Sequence, residues 1–170
     1  MPIDYSQLGY KEMFANYGFT VIAAFSLKKS LLFLTAAIDN LGNGSLPNGT
    51  IHEYLESLYN KPPMKKKTIG KLFNEVKMRL HIPASLEADL EKANDMHKHV
   101  IHHFFIDEYE TLSLDTGPIV LSEQLLPVRD FFLMLQSEVD RFSSVVCNEL
   151  KKPKNEISQE LRSMLKGTWT

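Results

Sequence analysis

Apolar residues recur at steps of three and four along most of this chain. That spacing keeps side chains on one face of an α-helix, which turns about 100° per residue. Phe19, Val21, Ile22, Phe25, Leu31, Leu32, Phe33, Leu34 and Ile38 predict a first helix over 18–41. It is apolar around most of its circumference, with Lys28, Thr35 and Asp39 as a narrow polar stripe, and such a helix packs on several sides. The Leu-Gly-Asn-Gly at 41–44 ends it, because glycine takes the left-handed cap conformation without steric cost. Thr50 and Glu53 then form a capping box. Ile51, Tyr54, Leu55, Leu58 and Tyr59 follow as one buried face of a second helix, stopped by Lys-Pro-Pro at 61–63.

Thr68 is the expected N-cap of a third helix whose stripe is Ile69, Leu72, Phe73, Val76 and Leu80. Ile82-Pro83 breaks the chain, and a fourth helix is predicted over 84–105, with Leu86, Leu90, Ala93, His97, Ile101 and Phe104 on one face. The stretch 114–118 reads as a turn. A long fifth helix over 120–150 carries Leu121, Leu125, Val128, Phe132, Leu135, Val139, Phe142 and Val146, a coiled-coil-like seam. Pro127 lies inside it and is expected to kink it or mark its start. After a polar break at 151–154, Asn155 is the expected cap of a short helix using Ile157, Leu161 and Leu165. No strand-period segment competes. The predicted fold class is all-α, an antiparallel helix bundle of about five helices, with a bundle domain over 1–150 and an appended segment over 151–170.

At 170 residues, with 44% hydrophobic and 24% charged residues, the chain can bury a core without disulfides or metal. Its net charge of -2 gives no global basic field to attract nucleic acid, so such binding requires a local patch. The lone Cys147 cannot form an internal disulfide, fits a reducing compartment, and in its apolar stretch is expected to be an inert thiol. The N-terminus lacks a basic region followed by an apolar run, and Lys28, Lys29 and Asp39 interrupt the apolar stretch that follows it. We therefore expect neither a signal peptide nor a membrane span, and a cytoplasmic protein.

Four of the six histidines lie in the segment 95–105: His97, His99, His102 and His103. On a helix His97 joins the apolar stripe, while the other three share the far face with Asp95 and Lys92. Asp95/His99 and His99/His103 are i, i+4 pairs that can chelate a transition ion. A third and fourth ligand would have to come from His52, His81 or scattered carboxylates, and paired Cys/His spacing is absent. The favoured assignment therefore names no metal ligands and no cofactor; the plainer reading is a solvated or inter-helix polar face.

Thr68-Ile69-Gly70-Lys71-Leu72, followed by a helix ending in His97-Lys98-His99-Val100-Ile101-His102-His103-Phe104-Phe105, resembles the HEPN superfamily. Its members carry a Thr-(Leu/Ile)-Gly-x-Leu helix start and then Arg-Asn-x-Leu-x-His-x-Phe-Phe. The resemblance spans about residues 18–142. It implies a helix bundle, often a dimer, whose active members are metal-independent ribonucleases, frequently toxins or defence effectors. It also implies that His102 works at the ribose 2′-hydroxyl, and that the arginine gripping the scissile phosphate is replaced here by His97, with Lys98 at the following position. No arginine occurs between Arg79 and Arg129. A histidine is mostly neutral at pH 7 and a lysine lacks the bidentate fork. Losing such a donor costs about 2.7–4 kcal/mol in the transition state.

The stretch Lys61, Lys65, Lys66, Lys67, Lys71, Lys77 and Arg79 is opposed in sequence only by Glu75. Lys65, Lys66, Lys67 and Lys71 are its candidate phosphate contacts, against the plainer reading of a solvated face. The expected function is a catalytically impaired HEPN-like module that binds RNA or a protein partner in a prokaryotic toxin–antitoxin or defence setting. The alternatives are an active ribonuclease using His102 with Lys98 or His97, and a metal-binding or purely structural helical protein. The heptad-like seam and His97 together suggest a self-complementary surface and a homodimer.

Overall fold

A computed structural model describes residues 5–42, 49–62 and 66–167, so the extreme N-terminus, Pro63 and Lys65 lie outside the described residues. The protein is all-α, 82% helical, with no strand among the described residues. The helices are α1 (Tyr5–Asn40), α2 (Ile51–Tyr59), α3 (Ile69–Arg79) and α4 (Ala84–Lys98). A π-helical segment (His99–His103) follows, then the short α5 (Phe104–Asp107) and α6 (Tyr109–Leu112), the long α7 (Gly117–Glu149), a 3-10 turn (Lys154–Glu156) and α8 (Gln159–Met164). Backbone contacts divide the chain into two compact units, residues 1–26 with 92–134, and residues 27–91 with 135–170.

In the first unit, Met13, Phe104, Leu121 and Leu125 form the buried core, with Tyr17 and Leu112 against it. This explains why α1 starts thirteen residues before the expected position. Gly18 reads as a start signal, yet here it is an interior helical residue. The roughly 1 kcal/mol that glycine costs in a helix is offset by burying Met13 on one side of it and Thr20 on the other. Asn16 donates from Nδ2 to Ser122 Oγ at 2.7 Å, which ties α1 to α7 in this unit. Gly117 opens α7 where a Cβ would sit 1.7 Å from the carbonyl oxygen of Thr111, so only glycine fits that turn. The expected start at 120 is thus three residues late. Pro127 neither starts nor ends α7, which continues through it.

In the second unit the two expected caps are present. Thr50 Oγ1 accepts from Glu53 N at 3.1 Å while Glu53 Oε2 accepts from Thr50 N at 2.7 Å. Lys71 N donates to Thr68 Oγ1 at 3.3 Å. The α3 stripe, Ile69, Leu72, Phe73, Val76 and Leu80, is buried as expected. Residues 151–167 belong to this unit. An isolated antiparallel bridge joins Leu80 to Leu165, with His81 N donating to Met164 O and Lys166 N to Arg79 O, both at 2.7 Å. Ser158, not Asn155, caps α8, accepting from Leu161 N at 3.3 Å. Glu149 is buried at the end of α7, where its carboxylate takes Lys152 Nζ at 3.0 Å and Ser158 N at 3.1 Å. The Lys152 hydrogen bond, reinforced by Ser158, holds the Glu149 carboxyl below the usual carboxylate range.

Six seam residues of α7, Leu121, Leu125, Phe132, Leu135, Val139 and Val146, are buried within the chain. Those six positions pack within the chain, while Val128 and Phe142 of the same seam are half-buried.

Gly117→Ala should destabilise the protein by about 2–4 kcal/mol in denaturant unfolding, since backbone must move to admit the methyl group. Because the folded-state pKa of Glu149 is lowered, its contribution is full above the ordinary carboxylate pKa and fades as pH falls through the lowered value. The protection factors of the Leu161 and Leu165 amides, exchange rates corrected for the intrinsic pH dependence, should fall in acid in the wild type. In Glu149→Gln they should be low already at neutral pH and unchanged by acid.

Candidate functional site

The histidine segment is not a plain continuation of α4. Between His99 and His103 the helix widens by one residue per turn, so that Phe104 N donates to His99 O, five residues back. In an α-helix Phe104 N would serve the carbonyl of Val100. That carbonyl instead accepts from the Tyr17 hydroxyl of α1 at 3.0 Å. A π turn rotates the chain by less per residue than an α turn, and Phe104 and Phe105 both reach the Tyr17 ring, with centroids 5.3 and 4.7 Å away. Single π turns inside helices concentrate at functional sites.

The wider turn also bends the polar face. His99 Nδ1 lies 3.2 Å from Asp107 Oδ2. In an unbroken α-helix residues eight apart are about 12 Å apart along the axis and cannot meet. The Asp107 carboxylate fixes the orientation of the His99 ring and leaves the opposite nitrogen for other contacts. Sequence reasoning missed both Tyr17 and Asp107, because the i, i+3 and i, i+4 rules that find helix-face partners do not reach either of them.

Of the catalytic candidates, His102 is exposed, and its ring centroid lies 6.4 Å from that of the equally exposed His103. Lys98 is exposed and its Nζ lies 3.4 Å from Asp95 Oδ1. His97 sits differently. It is half-buried, its Nε2 is shielded from solvent, and its ring stands edge-on to Phe25 of α1 at 6.1 Å. In the same unit Arg129 is engaged with the neighbouring Asp130, Nη2 lying 2.8 Å from Oδ1. The residues of the metal alternative have other partners. Asp95 faces Lys98, His99 faces Asp107, and no group of three or more metal-ligating side chains occurs among the described residues.

The nucleic-acid candidates lie in the other unit and are described apart. Lys65 falls outside the described residues, and Lys66 and Lys71 are exposed. Lys67 Nζ is 2.7 Å from Glu75 Oε2. Lys77 pairs with Glu87, and Arg79 Nη1 lies 2.5 Å from Asp39 Oδ1. The surplus expected from sequence is therefore reduced, because α1 and α4 bring Asp39 and Glu87 to two cations that sequence neighbours leave unopposed. Cys147 is half-buried, and desolvation pushes its thiol pKa up, away from the thiolate.

Comparison with known proteins adds no relative: no protein-family model, no curated protein and no solved structure matches the chain.

Tyr17→Phe should cost about 1 kcal/mol in unfolding free energy and should speed amide exchange in residues 99–105, since the Val100 carbonyl then loses the tyrosine hydroxyl. An unchanged exchange pattern would show that the π turn does not need the hydroxyl.

Proposed function

We propose that this chain is a catalytically impaired HEPN-like module, one that engages RNA or a protein partner through the exposed face carrying Lys98, His99, His102 and His103 and does not cut RNA. The prokaryotic toxin–antitoxin or defence setting follows from the family resemblance alone. The observation that carries the reading is the seat of His97. The position where the resemblance calls for a permanent cation holds a ring packed edge-on to Phe25 with a shielded nitrogen. A half-buried imidazole has neither the planar fork of a guanidinium nor an outward-facing Nε2, so this residue is poorly placed to grip a phosphate. Lys98 retains its charge but is shared with Asp95.

The ion pair of Lys67 with Glu75 removes one of the candidate phosphate contacts, while Lys66 and Lys71 stay exposed, so a modest, salt-sensitive affinity for RNA is the most this stretch supplies. A second reading, an active ribonuclease, draws on one observation, the pair of exposed imidazoles of His102 and His103. Two such groups can in principle remove a proton from the 2′-hydroxyl and deliver one to the leaving 5′-oxygen.

The deciding experiment is RNA cleavage in the presence of a chelator, with single-stranded and structured substrates, comparing wild type and His102→Ala. We expect both proteins to be equally inert, and the mobility of RNA to be unchanged at moderate salt. Metal-independent turnover that disappears in His102→Ala would overturn the proposal.

A further inference from the structure

Residues 13–27 of α1 carry no charged side chain. One side of this stretch is core: Met13, Thr20, Ala23, Ala24 and Leu27 are buried. The other side is open. Phe14 is 52% exposed, Phe19 57%, Ile22 60% and Phe25 49%. At about 100° per residue these four lie within an arc of about 140°, with Ala15 and Gly18 between them. A Cβ built at Gly18 would meet nothing within 4 Å. The patch extends past α1, because Phe14 touches Tyr10 and Phe105, with centroids 6.4 and 5.9 Å away, and both neighbours are 37% exposed.

We infer that this face of α1 is a homodimer interface, its occupant the same face of a second copy packed antiparallel across Gly18. The first argument is area. With about 150–250 Å² per large side chain, the six residues expose about 550 Å², at the top of the range that a monomer's largest apolar patch covers. Two such faces bury about 1,100 Å², just above the roughly 1,000 Å² that marks a specific interface and in keeping with a dissociation constant on the order of micromolar. The second argument is charge. The first charged residue at the N-terminal edge of the arc is Lys11. A parallel pair would set Lys11 against its own copy. An antiparallel pair centred on Gly18 sets Lys11 against Phe25 of the second copy, a favourable cation–aromatic contact, and Phe14 against Ile22. Gly18, at the crossing, lets the two backbones approach closely.

A lipid surface fits less well. The arc from Phe14 to Phe25 is about 17 Å long, short of the roughly 30 Å of a bilayer core. A helix lying on a membrane carries basic residues on its opposite face, whereas the opposite face of α1 is buried protein. The dimer is independent of the proposal for the histidine face.

Sedimentation of the full chain over a concentration series tests it. Wild type should dimerise, and Ile22→Glu should weaken self-association at least a hundredfold with unchanged helicity and thermal unfolding, since the side chain is mostly exposed. In a Cys147→Ala background, Gly18→Cys should cross-link under mild oxidation, while Met78→Cys, at an exposed position of the other unit, should not. The cross-linking comparison decides the matter should Ile22→Glu fold poorly. Wild type that stays monomeric throughout, an Ile22→Glu variant that dimerises normally, or equal cross-linking at both cysteines would overturn the inference. So would flotation of monomeric wild type with phosphatidylcholine–phosphatidylglycerol vesicles that Ile22→Glu abolishes, which would assign the face to lipid.

Discussion

The contacts of Val100, Phe104, Phe105 and His99 follow from one extra residue accommodated in a helical turn. The π segment at His99–His103 diverts Phe104 N to the carbonyl of His99 and leaves the carbonyl of Val100 to be met by Tyr17. A hydrogen bond of this kind contributes about 0.5–1.5 kcal/mol net, which links the widened turn to the tyrosine on α1. The same turn brings Phe104 and Phe105 onto Tyr17 and Asp107 within reach of His99. The aromatic contacts and the histidine face are thus two consequences of a single change in helical pitch.

Much of the helical layout was legible because its signals are local. Thr50, Glu53 and Thr68 announce helix starts through hydrogen bonds that span three residues, and both starts are where the sequence put them. The burial of the α3 and α7 stripes follows from periodicity alone. Errors came where a distant element overrides a local rule. Gly18 resembles a boundary until Met13 and Thr20 are buried on either side of it. Asn155 resembles a cap until Glu149 takes the amide of Ser158 and fixes the start of α8 three residues later.

The histidine face was legible as a list of residues but not as an arrangement. A wheel drawn at constant pitch separates His97 from His99, His102 and His103, and the structure keeps that separation. Constant pitch cannot give the His99–Asp107 pair or the Tyr17 contact, since both depend on the turn that breaks it. Charge counting overestimated the surplus for a related reason. Adding up lysines over 61–79 treats the stretch as isolated, whereas Asp39 and Glu87 come from elements far away in sequence.

These corrections change which surface has binding energy to offer. An exposed ion pair contributes at most about 1 kcal/mol to stability, but it also lowers the net charge that its lysine presents to a polyanion. Desolvating an apolar side chain has no such internal competitor, and at about 25 cal/mol per Å² the exposed arc of α1 holds a larger reserve than the paired lysines. His97 lies at the border of that arc through its contact with Phe25. Its ring is thereby placed beside an apolar surface. A ring seated against Phe25 with its Nε2 shielded from solvent is turned toward apolar packing and away from any phosphate in the surrounding water.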